Sequence, residues 1–205
     1  MAKLIQIKIN QTDYDVLKSG KYNLCYAQKA NDTYAVVCQS ISNYLPSTRI
    51  SWLPNYQLFG TNFFTAGLEV VIETNFVDID LVEVATLDAA GVVKPAKDGG
   101  SSRVIAFLNN YGPIHPGLIG TSAGPDGVQR QLPIYVGQDA VEAGVVGVTP
   151  VDVVRVWFQQ DITTGTMLSQ DMLAKVSNAI EVDLTTADTA SVRYQNGNWS
   201  TIDAV

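Results

Sequence analysis

Histidine and cysteine are almost missing from this chain of 205 residues, which has one of the former, His115, and two of the latter, Cys25 and Cys38. That scarcity removes most routes to a reactive centre. A structural zinc site takes four Cys or His ligands. A nucleophile–base pair takes a histidine oriented by a third group. Charge is sparse as well, at 16% of residues, against about a quarter in an average soluble domain. The formal net charge is −7, and an acidic chain repels the phosphate backbone that Lys and Arg must neutralise, so nucleic acid is not an expected partner. Long apolar runs are absent too. The N-terminal stretch Lys3-Leu4-Ile5-Gln6-Ile7-Lys8-Ile9 alternates, whereas a secretory signal needs about 7–15 apolar residues together and a membrane helix about 20. A cytoplasmic or non-classically secreted protein is the resulting expectation.

What the chain does have is period two. Ile5, Ile7 and Ile9 share one side with Gln6 and Lys8 on the other, and Ile180, Val182 and Leu184 alternate with Glu181 and Asp183; both are strand patterns. Val104–Leu108 and Val153–Phe158 are apolar on both sides, as in central strands or strands whose second face meets a partner. Leu68, Val70 and Ile72 fall out of phase with Val77, Ile79 and Leu81, which calls for a turn or bulge near Thr74-Asn75. Asn196-Gly197 is a hairpin turn that sets Tyr194 across from Trp199. Helical spacing is rare, with Ser169 as a cap over 170–176 its clearest instance. These signals predict an all-β, antiparallel β-sandwich of the immunoglobulin or jelly-roll kind. About nine to eleven strands and at most one or two short helices are expected. The span 1–205 reads as one large domain. The glycine- and proline-rich stretch 109–131 reads as a functional surface loop or as a linker between two small β domains.

Few residues carry candidate chemistry. Cys25 and Cys38 fall opposite each other if Asn31-Asp32 turns a hairpin, giving either a cross-strand disulfide or two buried thiols. His115, between Pro113 and Pro116, has no evident partner for catalysis. Asp78 and Asp80 lie two apart on a strand and so face the same side, suited to calcium or to acid–base work, or simply to a solvated strand face. Calcium is the one cofactor they suggest. Tyr44, Trp52, Tyr56, Phe59, Phe63 and Phe64 crowd one stretch. They are either core filling or exposed rings for a sugar, a membrane interface or another subunit, with Tyr111 and His115 as neighbours in the 109–131 segment. The expected function is therefore non-catalytic and surface-borne: self-association into a homo-oligomer or assembly, with lectin-like glycan recognition or cytolysin-like membrane recognition as the alternative.

Overall fold

The structure is a computed structural model that describes residues 2–99, 103–176 and 178–202. The described chain holds fifteen strands and two helices, more strands than the sequence suggests. The excess comes from strands of only three residues and from a glycine-rich segment that is extended rather than looped.

The largest sheet runs β10 (Gln129–Val136), β9 (His115–Ala123), β4 (Ser47–Thr61), β1 (Lys3–Ile9), β14 (Thr189–Gln195) and β15 (Asn198–Ile202), with β5 (Val77–Ile79) also paired to β4. A second sheet runs β13 (Ala179–Asp183), β12 (Pro150–Gln159), β2 (Asn23–Ala30) and β3 (Gln39–Ile41). The third runs β11 (Gly144–Val148), β8 (Ile105–Asn109), β6 (Glu83–Leu87) and β7 (Val93–Asp98). All-β character is as expected. The purely antiparallel arrangement is not, because β1 pairs β14 in parallel and β6 pairs β8 in parallel.

Alternation explains the core. Ile5, Ile7 and Ile9 of β1 are buried with Ile50 and Leu58 of β4, Leu118 of β9 and Val192 of β14, while Lys8 is exposed. β1 therefore lies inside its sheet and is no free edge. The second sheet is buried on both faces. Leu24 and Tyr26 of β2 and Val154 and Val156 of β12 join that main core. Cys25, Ala27 and Trp157 point the other way into a smaller cluster with Ile162, Leu168 and Leu173. Leu173 belongs to α2 (Gln170–Lys175), whose cap is Ser169, accepting from the Met172 amide as its sequence suggests. The doubly apolar strand β12 thus finds its second cover within the chain.

The other helix, α1 (Gln11–Ser19), is not anticipated by hydrophobic spacing, because only Leu17 on it is buried. Its ends are well made nonetheless. The Asn10 side chain accepts from the Thr12 amide, Asp13 sits in the first turn, Lys18 in the last, and the Gly20 amide closes onto Val16. Such ends satisfy the orphan backbone groups of a helix and favour its dipole.

The stretch 109–131 is neither loop nor linker over most of its length. It contains β9, which lies between β4 and β10. Glycine is needed there for room: a Cβ on Gly117 would fall 2.2–2.5 Å from the Phe59 ring, and one on Gly120 would fall 3.0 Å from Ile134. The glycines that look like loop signals are seats for large neighbours.

Candidate functional site

The crowded aromatics divide sharply by position. Tyr44, Trp52, Tyr56 and Phe59 are buried. β4 carries Trp52 and Tyr56 on one face, where its bulge at Pro54-Asn55 inserts two residues against β9 and so preserves their facing, and Phe59 on the other face, over Gly117. The Trp52 ring stacks on Tyr26 at 6.2 Å, and its Nε1 donates to Asp152 at 3.1 Å. Tyr44 meets Tyr14 edge-on at 5.8 Å, with the Lys18 ammonium 4.7 Å from its ring centre. Burial, aided by Asp152, drives the Tyr56 phenol well above its ordinary range. These four rings are core, and as such they are unavailable for sugar or membrane contact. Phe64 is half-buried; Phe63 and Tyr111 remain exposed.

His115 opens β9 and is buried, with Nδ1 2.8 Å from the Gly137 carbonyl oxygen. A backbone carbonyl, rather than a carboxylate, orients its ring. The two cysteines are free thiols rather than a disulfide. The predicted turn is present, with Asn31 and Asp32 at φ 47° and 59° and Ala30 bridged to Thr33. The returning strand then gains two residues, because residues 35–37 leave to bond the 165–168 segment. Cys25 consequently faces Ser40, and Cys38 packs into the opposite core cluster.

Asp78 and Asp80 are both exposed and line one polar cleft of about 450 Å³ with Asn55, Tyr56, Gln57, Glu83 and Gln131. Gln57 Nε2 donates to Asp78 at 2.8 Å, and the Asp80 amide donates to Glu83 at 2.7 Å. The pair is thus brought together, but tied to neighbouring protein groups. Among the described residues no three His, Cys, Asp or Glu side chains converge as metal ligands would. Asn55 and Gln57 carry no motif of their own; the Pro54-Asn55 interruption in β4 is the sequence signal that points to them.

The surface feature that the sequence half-announces is the loop after β4. Residues 62–76 contain no buried side chain. The ends of this loop are pinned together: Glu73 accepts from the Asn62 amide and Thr61 hydroxyl, and Thr74 accepts from the Gly60 amide. Its middle is laced to the 165–167 segment through Gly67, Leu68 and Val70. Closed ends and hydrogen-bonded support at its middle give it the form of an Ω-loop. On it Phe63, Leu68, Val71 and Ile72 are exposed, followed by Phe76. Asn75 clamps Val93 through both its amide atoms, at 2.8 and 2.9 Å, which brings exposed Val92 alongside. Gly91, in turn, lies against the exposed Tyr111 ring. Among the described residues, seven of the twelve exposed large apolar side chains therefore lie on this loop or on the two segments linked to its end through Asn75–Val93 and Gly91–Tyr111.

No protein-family model, characterised protein or solved structure matches this chain.

Proposed function

We propose that the protein is a non-catalytic, self-associating module, and that the Ω-loop at 62–76 with Val92 and Tyr111 is the surface by which copies meet. The observation that carries this reading is the concentration of exposed apolar side chains there, held by hydrogen bonds in a defined shape. Scattered exposed apolar residues are ordinary; a connected group is the mark of an interaction site. A loop already ordered in the free chain also loses little conformational freedom on association. The sheets pack as a sandwich in this reading, supported by the stacking of Tyr26 on β2 over Trp52 on β4, in two different sheets. Two buried free thiols suit a reducing compartment.

Membrane recognition is the competing use of the same surface. Residues 62–76 carry Glu69 and Glu73 and no Lys or Arg, so the loop lacks the basic residues that draw a protein to anionic lipid. Glycan recognition is less favoured, because the rings best placed for stacking on sugars lie in the core.

Sedimentation velocity over a range of concentrations tests the proposal, comparing the wild type with Ile72→Asp/Phe76→Ser. A wild type that grows with concentration and a variant that stays monomeric support it. A wild type that remains monomeric throughout overturns it, and binding of that monomer to uncharged vesicles would reassign the loop to membranes.

A further inference from the structure

A second cleft, of about 720 Å³, lies between α1, α2, β12 and β14, remote in sequence from the Ω-loop. Part of its wall is apolar, from Leu17 of α1, Phe158 of β12, and Met172 and Val176 of α2 and its end, and the remainder is polar, including Gln159 and Gln160. Phe158 is held rigidly, stacked on Trp199 at 5.3 Å and met edge-on by Tyr194 at 4.9 Å. A wall of locked rings facing a pliable methionine is suited to an apolar body of adjustable shape.

The polar groups around this cleft have capacity left over. Asn178 donates to the Tyr194 hydroxyl oxygen at 3.3 Å, but among the described residues neither the Tyr194 nor the Tyr22 hydroxyl proton has an acceptor. Burial, with Asp13 and Tyr22 nearby, holds the Tyr194 phenol protonated above its ordinary range, so it remains a donor. The mouth carries one acid, Asp161, and one base, Lys175. On a chain whose net charge is −7, this is a locally neutral rim. A balanced rim offers no net attraction to an ion of either sign, so an uncharged guest is favoured.

We propose that this cleft binds a neutral small molecule with an apolar ring body and a carbonyl or hydroxyl oxygen, which accepts hydrogen bonds from Tyr22 and Tyr194. The volume falls within the range of about 300–1,000 Å³ typical of small-molecule sites. The site is independent of the self-association surface.

Nile red, a neutral polycyclic carbonyl compound, is the probe, with fluorescence titration as the readout. Saturable binding near one per chain is expected. Met172→Arg should weaken it at least tenfold, while Phe63→Ser/Phe76→Ser on the Ω-loop should leave it unchanged. Tyr22→Phe removes one donor and should weaken binding by about two- to tenfold, the worth of one hydrogen bond. Should Met172→Arg fail to fold, Val16→Arg, at an exposed position on the rim, carries the same expectation. Absence of saturable binding overturns the proposal. So does binding that persists in the folded cleft variant, or that disappears with the Ω-loop variant. An unchanged affinity in Tyr22→Phe removes the assigned role of the ring oxygen.

Discussion

Cys25 lies opposite Ser40 on the neighbouring strand, and its sulfur is 3.9 Å from the Ser40 hydroxyl. Simple counting from the Asn31-Asp32 turn would place Cys38 there. The two-residue excess in the returning strand moves Ser40 opposite Cys25, and the bend at Cys38 turns its side chain into the main core, so the thiols sit in different core clusters and are not placed for a disulfide.

Burial pushes both thiols up to about 12, so neither is a nucleophile near neutrality. The folded protein should not react with a thiol reagent such as Ellman's at pH 8. Two thiols per chain should appear once denaturant is added without reductant. A denatured count of zero would establish a disulfide instead. The raised values also have a consequence for stability. Folded thiols keep their protons where unfolded ones lose them, so the contribution is complete below about pH 8.5 and declines as pH rises towards 12.

Gly117→Ala tests why a glycine-rich segment forms an inner strand. The added methyl would meet the Phe59 ring far inside contact distance, and overpacking of this kind costs about 1–3 kcal/mol. Urea denaturation should show the loss, and Phe59→Leu in the same chain should restore part of it. An unchanged midpoint for Gly117→Ala would mean that Phe59 does not sit over the strand.

These two cases mark what is legible in the sequence. Local signals hold: the alternation of Ile5, Ile7 and Ile9, the Asn196-Gly197 turn that pairs Tyr194 with Trp199, and the Ser169 cap are each decided within a few residues. Features set by distant neighbours do not. Gly117 and Gly120 look like loop until Phe59 and Ile134 are known to lie over them. The bulge that displaces Cys38 depends on the 165–168 segment, more than 120 residues away. For the candidate surface, the sequence marks the right stretch of aromatics. Which of them face solvent follows from the end of β4 at Thr61, beyond which Phe63 leaves the sheet. The clefts were invisible, since each gathers side chains from several separate strands or helices.

Asp126, in the turn before β10, and Arg130, the second residue of that strand, form an exposed pair, with Arg130 Nη1 donating to Oδ1 at 3.0 Å. That hydrogen bond, with the Val128 amide, lowers the carboxyl to about 2. The folded pair therefore helps stability above the ordinary aspartate range, near pH 4, and its contribution disappears as pH falls towards 2. Exposure keeps the effect small. Carbon-detected NMR titration should find Asp126 ionised at pH 3. In Arg130→Gln its midpoint should rise towards the ordinary value; an unmoved midpoint would assign the shift to the turn amides alone.

Amide hydrogen exchange measured at increasing protein concentration tests the central claim most directly, because it reports both whether copies associate and where. Exchange across residues 62–76, together with the amides near Val92 and Tyr111, should slow as concentration rises, while the exposed Asp126–Arg130 turn should exchange at a constant rate. Identical exchange at every concentration, or slowing confined to other surfaces, would contradict an interface at the Ω-loop.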